Sequence, residues 1–498
     1  MYLQELLTLA GIGNDGGTIS SDRPVMGVKY DSRAIRPGDV FVAVPGTATD
    51  GHRFVDAAVR AGAGAVVIED ACAQVQSVPC VLVRSTRAAL ADLSAAFHGF
   101  PSSPLHLTGI TGTDGKTTSV FMLSHVLSAL GGTTGLLSTV AFKVADRWQD
   151  NALRQSTLEA PEIQAALAEM VTAGVTDAVL ETTSHGLALD RVRGCLFDDA
   201  IVTNITSEHL EFHRTRERYI AAKALLLDAV RRSQAKPGRR FVAINCDDEG
   251  SAGLVPGSPV EVITFGLGEA AAFRATNVVC GAAGSTFSVH FDGRDYQAST
   301  QLPGMFNAYN CLGVLALVAG RGMSIEHAVG ALASFAGVPG RMNRVDAGQD
   351  FTVIVDYAHT AASLEKVLTT LRPLARGRLI AVFGSAGERD REKRPAMGLV
   401  AAMLADLSVL TDEDPRMESS EAILEEIAAG ARTAGARAGS DYHVVPDRRQ
   451  AIRWAFSQAR SGDVVLLAGK GHEKNMVVRG ASIPWDEIAV AREELHAL

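Results

Sequence analysis

The sequence predicts an α/β protein of three domains, the middle one carrying a phosphate-binding loop. Three observations predict it. The chain has 498 residues, enough for about three domains at roughly 100–200 residues each. Short apolar runs of strand length alternate with helix-length patterns, which is the sequence form of βαβ units on parallel sheets. One Gly-rich turn, TGTDGKTT at 111–118, stands between a strand pattern and a helix pattern.

The elements follow in order. Residues 1–104 open with a short helix; 40–44 read as a buried strand, 54–61 as a helix and 65–68 as the next strand. The run PSSP at 101–104 punctuates the end and reads as a linker. From residue 105 a second unit begins, with strands at 106–110, 178–181, 200–204 and 241–245 and helices at 120–130 and 216–232. Residues 270–300 read as short antiparallel strands joined by Gly turns, and helices return at 307–320 and 324–333. A second boundary falls near Val338-Pro339-Gly340-Arg341, and four apolar runs beyond it, at 352–356, 379–383, 407–410 and 464–468, predict a third α/β domain.

Composition excludes several classes. A net charge of −9 argues against a nucleic-acid binder, which would carry a basic face. The first residues lack a basic segment followed by a long apolar one, and no apolar run reaches the roughly 18 residues of a membrane span. A cytoplasmic protein without a membrane span is expected. The six cysteines form no CxxC pair and stand at no metal-ligand spacing with His, so they read as scattered thiols in a reducing compartment.

The turn at 111–118 has the parts of a nucleotide site. Gly112 and Gly115 let backbone N–H groups curl around phosphate oxygens, and the helix N-terminus adds partial positive charge. Lys116 suits the β- and γ-phosphates and the Thr117 hydroxyl suits Mg²⁺. Thr113, Asp114 and Thr118 complete the expected ATP cradle. The strict GxxxxGK[ST] spacing is not met, because Ile110 stands where its first Gly would be; the match is to a shorter TGTxGKT form.

This loop resembles that of the Mur ligase family, and the resemblance runs along nearly the whole chain. It continues in ETTSHGL at 181–187, TNITSEHLEFH at 203–213, PGMFNAYN at 303–310, PGRMNRV at 339–345 and DYAHT at 356–360. GSAGERDREKRPAMG at 384–398, DEDPR at 412–416 and GKGHE at 469–473 are similar to the MurE branch, the tripeptide synthetases. The resemblance implies the three-domain Mur ligase architecture: an N-terminal UDP-substrate-binding domain at 1–104, a central P-loop ATPase domain at 105–338, and a Rossmann-like amino-acid-binding domain at 339–498. It implies an ATP-dependent, amide-forming ligase of peptidoglycan precursor synthesis. ATP phosphorylates the terminal carboxylate of UDP-N-acetylmuramoyl-L-alanyl-D-glutamate, and the amine of a diamino acid attacks the acyl phosphate. Its partners would be these small molecules alone, taken by a monomer whose third domain swings in to complete the site.

The same resemblance assigns residues. Lys116, Glu181, His209 and Lys223 are the expected catalytic groups. Mg²⁺ would be held by Thr117, Glu181, His209 and Lys223, the last as N6-carboxylysine, a carbamylated lysine that turns an ammonium into an anion. Asn307, Arg341, Asp356 and His359 join the ATP site. Ser32, Arg33, Gly46 and His52, with Ser156, Thr157, Ser184 and Arg191, would take the UDP-dipeptide. Arg389, Asp414, Arg416, Gly469 and Glu473 would read the incoming amino acid.

Three departures from the family pattern carry expectations of their own. Asp414 stands where the diaminopimelate enzymes usually carry Asn, and an added negative charge favours an amine over a carboxylate. Meso-diaminopimelate is preferred because Arg389 and Arg416 are both present; L-lysine or L-ornithine is the alternative. Thr360-Ala361-Ala362 replaces the family's Thr-Pro-Asp, which should loosen the turn, and Asn343 replaces a Glu. Rival readings of other kinds are a plain P-loop kinase, a folylpolyglutamate-synthase-like ligase and a non-catalytic nucleotide-binding homologue. They lack, in turn, the DEDPR domain, the N-terminal DSR domain, and a reason to keep Lys116, Glu181 and His209 together.

Overall fold

The computed structural model describes residues 1–13, 24–46, 49–73, 75, 77–151, 153, 155–206, 208–233, 236–281 and 284–498. They form two compact units. The first comprises Met1–Thr276, Val289–Tyr296 and Tyr309–Leu332; the second comprises Asn277–Ser288, Gln297–Ala308 and Ala333–Leu498.

The first unit holds two sheets. A parallel four-stranded sheet runs in the order Val28–Lys29, Val40–Val42, Ala65–Ile68, Cys80–Leu82. Side chains alternate between faces along a strand, so Val40 and Val42 pack with Leu6, Leu90 and Leu93, while Phe41 and Ala43 pack with Val55 and Ala58 on the other face. Both faces are therefore buried, which is why VFVAV reads as a continuous apolar run.

The larger sheet has eleven strands; seven in a row are parallel, in the order Phe273–Gly281, Glu261–Gly266, Phe241–Asn245, Asp199–Val202, His106–Thr111, Asp177–Glu181, Thr134–Leu137, with Ala141–Val144 and Arg147–Asp150 added antiparallel at one edge and Gly284–Phe291 and Arg294–Thr300 beyond Phe273–Gly281 at the other. His106–Thr111 lies between Asp199–Val202 and Asp177–Glu181. Three carboxyl ends, those of Thr111, Glu181 and Val202, thus stand side by side, and in open α/β sheets ligands bind at such an edge. Its helix is Lys116–Ala129, beginning four residues earlier than the apolar pattern predicts.

The 101–104 run is not a loose linker. Pro101 and Ser102 are buried, and the Lys236 ammonium donates to the carbonyls of Ser102 at 2.9 Å and Leu105 at 2.6 Å and to Asp198 Oδ2 at 2.5 Å.

The second unit carries a parallel sheet in the order Thr352–Asp356, Val464–Ala468, Leu379–Phe383, Leu407–Leu410, Tyr442–Val444, with Asn343–Val345 antiparallel at the edge. Helices cover both faces. Ile354, Ala381, Phe383 and Leu466 pack against Leu364, Met397 and Ile427; Val353, Val355, Val382 and Leu467 pack against Ile452, Phe456 and Val490. This is the doubly wound arrangement expected of a Rossmann-like domain. After DYAHT, Thr360 caps the helix Ala361–Leu371 in a reciprocal capping box with Ser363, so hydrogen bonds define the helix start where the family has Pro. Asn343, in place of Glu, accepts the Gly340 N–H at 2.6 Å and closes the turn before it.

Candidate active site

In the first unit the loop after Thr111 is held from behind by its neighbour strand. Thr113 N donates to Asn204 O at 2.7 Å, Asp114 N to Asn204 Oδ1 at 3.0 Å, and the Thr203 hydroxyl to Asp114 O at 2.6 Å. Gly112 sits at φ +153 and a Cβ there would meet Thr203 Oγ1 at 1.8 Å; Gly115 has φ +81 with Asn310 Oδ1 at 2.3 Å from its Cβ position. Only glycine fits either place. Lys116 folds back over the loop, its ammonium on the carbonyls of Gly112 at 3.0 Å and Thr113 at 2.7 Å.

Thr117 and Glu181, read from segments 64 residues apart, meet directly: the Thr117 hydroxyl lies 3.1 and 3.0 Å from the two carboxylate oxygens. Thr139 completes the contact, its N–H and hydroxyl each 3.0 Å from the same carboxylate. Nothing in the sequence singled Thr139 out. Glu181 is buried, and its oxygens with that of Thr117 form a hard, all-oxygen donor set of the kind Mg²⁺ prefers. Among the described residues no group of three or more His, Cys, Asp or Glu side chains is assembled for a metal. His209 has φ +55, sits 3.6 Å from Glu208 Oε2 and packs edge-on against His185 at 4.8 Å between centroids.

Lys223 is wholly buried, with its amine 2.6 Å from Gly112 O and 4.6 Å from the Tyr219 ring centroid. Burial first, and the charge of Lys116 second, push it well below the usual lysine range. A lysine that reads as a helix-surface residue by itself is in fact an inward-facing amine at the phosphate loop.

The expected substrate residues of this unit divide. Thr157 is buried, its hydroxyl bonded to Glu181 O at 2.9 Å and to Thr183 Oγ1 at 3.0 Å; Ser156 is half-buried beside it. Arg191 pairs with Glu159 at 2.8 Å and donates to Thr157 O at 2.9 Å. Glu159 also faces Arg87 at 3.9 Å and is a charged centre the sequence did not reveal. The Ser184 hydroxyl is 3.0 Å from His213 Nε2. In the first 104 residues, Ser32 opens a single turn Ser32–Ala34, Arg33 is exposed and paired with Asp31, and Gly46 is exposed, its N–H donating to Thr49 O at 2.9 Å. His52 has both ring nitrogens engaged: Nδ1 lies 2.7 Å from Asp50, and Nε2 accepts the N–H groups of Glu69 at 3.0 Å and Asp70 at 3.3 Å. It holds a turn together.

In the second unit Asp356 ends its strand buried, accepting the N–H groups of Met342 and Ala358 at 2.8 Å each; burial raises its pKa despite the nearby Arg341 charge. Arg341 lies over the Tyr357 ring at 5.2 Å, and its Nε is buried without a partner among the described residues. His359 Nδ1 is 2.9 Å from Tyr357 O, and burial lowers its pKa. Asn307 is buried and donates to Pro303 O at 2.8 Å.

The residues expected to read the amino acid also gather here, except Arg389, which is exposed. Lys470, fully buried, joins Asp414 Oδ1 at 2.8 Å to Glu473 Oε2 at 2.6 Å. Asp414 Oδ1 also accepts the Val477 N–H at 2.9 Å. Arg416 stands at φ +54, its N–H on Val477 O at 2.9 Å and its Nε buried without a partner among the described residues. Gly469, at φ +108, lets the chain pass Glu413, whose carboxyl burial pushes up to about 7. Lys470 lies inside the GKGHE segment, where nothing in the sequence marks it as buried, since a buried lysine has no periodic signature.

The comparisons with known proteins agree along the chain. Three family models match: Mur ligase family, catalytic domain, over residues 24–98; Mur ligase middle domain over 110–318; and Mur ligase, glutamate ligase domain, over 340–471. The chain is 46% identical over 483 residues, 95% of each chain, to the UDP-N-acetylmuramyl-tripeptide synthetase of Roseiflexus sp. (strain RS-1). It is 38% identical over 502 residues, with complete coverage of both, to the UDP-N-acetylmuramoyl-L-alanyl-D-glutamate–2,6-diaminopimelate ligase of Bacillus licheniformis. A solved structure of a ligase with that same name superposes with a TM-score of 0.71 at 28% identity, over 100% of this chain and 99% of the other.

Proposed function

The chain belongs to the Mur ligase family, and from that premise we propose that it is an ATP-dependent ligase adding 2,6-diaminopimelate to UDP-N-acetylmuramoyl-L-alanyl-D-glutamate in peptidoglycan precursor synthesis. The observation that carries this reading is the phosphate loop whose Thr117 hydroxyl rests on the Glu181 carboxylate beside the Lys116 ammonium.

A carboxylate is a poor acylating agent, and its approach to ATP brings two anions together. Lys116 sits on the loop carbonyls, where it can move onto transferring phosphate oxygens without leaving the site. Thr117 and Glu181 would hold Mg²⁺, which when bound supplies the positive charge that lets the anions meet. Loop N–H groups kept open by Gly112 and Gly115 orient the phosphates. Thr157, whose hydroxyl bonds the Glu181 carbonyl, and Arg191, held by Glu159, would receive the D-glutamyl carboxylate. The incoming amine then attacks the acyl carbon of the acyl phosphate; a C–N bond forms, the C–O bond to phosphate breaks, inorganic phosphate leaves and the amine gives up a proton.

Lys223 carries a carbamate in this reading. Burial and the Lys116 charge push its pKa down and so favour the uncharged amine, whose nitrogen can attack CO₂; an N–C bond forms and a proton leaves, converting a neutral group to an anion beside the loop. Diaminopimelate is supported by Arg416, whose buried Nε lacks a partner among the described residues. No helix among the described residues is long and apolar enough to cross a membrane; a monomer acting in the cytoplasm, where ATP and nucleotide-linked sugars are made, fits this chemistry.

Phosphate release from ATP is the test, with the UDP-dipeptide, Mg²⁺ and, in separate reactions, meso-diaminopimelate, L-lysine or L-ornithine. Release dependent on meso-diaminopimelate, with a UDP-tripeptide product by mass, is the expected result. No release with any of the three from folded, ATP-binding protein overturns the reading.

A further inference from the structure

We infer that Glu159 is a positioning residue for the peptide end of the UDP-linked substrate, seating the Arg191 guanidinium on a carboxylate that also faces Arg87 of the first 104 residues; this rests on the function proposed above. Glu159 stands at the start of the helix Ala160–Thr172, where a side chain ordinarily accepts a backbone N–H of the first turn. Its side chain makes no such bond, and Pro161 removes one of the N–H groups it could have served. Glu is not a favoured residue in that place. The carboxylate turns to two arginines instead. Oε1 takes Arg191 Nη2 at 2.8 Å, and Oε2 lies 3.9 Å from Arg87 Nη1. The side chains of Glu159, Arg191 and Arg87 are 13, 16 and 20% exposed, so water screens them little. Glu162, one turn along, accepts the Tyr30 hydroxyl at 3.3 Å. Among the described residues Glu159 is the one carboxylate within ion-pair distance of either arginine.

Both arginines are tied a second time, to backbone. Arg191 Nη1 donates to Thr157 O at 2.9 Å, and Arg87 Nη2 donates to Pro45 O at 3.0 Å, beside Gly46. The Thr157 hydroxyl in turn rests on the Glu181 carbonyl at 2.9 Å. A line of contacts therefore runs from the turn expected to take the UDP end to the strand end that carries Glu181. Two fixed terminal nitrogens hold the planar Arg191 group in one orientation with donors to spare. One of these, the Nε–H, is buried without a partner among the described residues. A guanidinium already ordered gives up less conformational freedom when a carboxylate arrives. Without Glu159, Arg191 keeps one anchor, and the substrate itself has to order it.

Calorimetric titration tests this, with UDP-N-acetylmuramoyl-L-alanyl-D-glutamate and UDP alone as ligands, in Mg²⁺ and a non-hydrolysable ATP analogue. The proteins are the wild type, E159Q, E159S, R191M and E159Q with R191M. E159Q should weaken the UDP-dipeptide roughly tenfold and leave UDP within about twofold of wild type. E159S should show the same split; its hydroxyl caps a helix better than Glu does, so it keeps the fold even where E159Q does not. Because Glu159 acts through Arg191, adding E159Q to R191M should change UDP-dipeptide affinity by less than about twofold. A merely structural role would weaken both ligands together, and that result overturns the inference. So does unchanged or tighter binding of the UDP-dipeptide to E159Q, which would make Glu159 a competitor of the substrate for Arg191. A further loss of about tenfold on adding E159Q to R191M overturns it as well. A wild type that fails to bind the UDP-dipeptide overturns the proposed function and this inference together, whereas wild-type binding with no E159Q split overturns only the inference.

Discussion

Glu413 stands three residues beyond the strand Leu407–Leu410, with its carboxyl inside the protein and Oε2 without a hydrogen-bond partner among the described residues. Burial raises its pKa to about 7, although Lys393, Lys470 and Arg448 all pull it down. Because the folded pKa lies above the unfolded one, this group's contribution to stability is fully present below about pH 4.5 and is lost as pH rises through about 7. E413Q, neutral at every pH, should therefore gain on the wild type by on the order of 3 kcal/mol between pH 4.5 and 8. Urea midpoints of both proteins at the two pH values measure it; an equal gap at both would mean that the carboxyl ionises freely in the fold. The site residues differ in how far the sequence revealed them for a related reason. Lys116 and Thr117 stand out because a phosphate loop needs fixed residue types at fixed spacing, whereas Glu181 stands out only through the resemblance of ETTSHGL to the Mur ligase family. Thr139, Glu159 and Lys470 do not stand out, since each acts by meeting a group distant in sequence, and no local pattern records that meeting.

At the scale of elements, strands buried on both faces were read from the sequence to the residue, as with Thr352–Asp356, Leu379–Phe383, Leu407–Leu410 and Val464–Ala468. Continuous runs of β-branched and apolar side chains mark such strands. Some edge strands carry no such mark, although Arg294–Thr300 at the other edge of the large sheet falls in the stretch 270–300 that reads as antiparallel strands. Arg147–Asp150 exposes all four side chains, and Asn475–Val478 with Ala481–Pro484 forms a hairpin with little apolar contrast. Helix packing was invisible in the same way. The helices Lys393–Leu404 and Ser420–Thr433 touch backbone to backbone: a Cβ on Gly398 would lie 1.9 Å from Ile427 O, and one on Gly430 would lie 1.8 Å from Pro395 O. A carbonyl held in a helix cannot move aside as a side chain can. G430A should therefore destabilise the second unit by about 3 kcal/mol or more, read as a lowered urea midpoint with an unchanged slope. A loss below 0.5 kcal/mol would show that the helices separate at little cost.

At the scale of the whole molecule, the sequence divides the chain at 104 and 338, and each of the three segments matches its own family model. The structure groups the first 104 residues with the central sheet in one compact unit, and the boundary between them explains why. Lys236 is buried where the two meet, bonded to Ser102 O, Leu105 O and Asp198 Oδ2, while Asp198 Oδ2 also takes the Leu107 N–H at 2.8 Å and Asp198 Oδ1 lies 3.4 Å from Arg240. One ammonium thus ties the segment entering the central sheet to the carboxylate that receives it. K236M would leave Asp198 buried with only part of its compensation, a change that costs about 3–5 kcal/mol when a buried pair is broken. The lesion is local to this boundary and remote in sequence from the phosphate loop. K236M is therefore expected to cleave faster between residues 99 and 105 in limited proteolysis and to raise KM for the UDP-linked substrate, while ATP affinity stays within about twofold of wild type. Should ATP affinity fall as far as affinity for the UDP-linked substrate, the lysine would be supporting the whole unit, and the boundary would not be where the first domain is positioned.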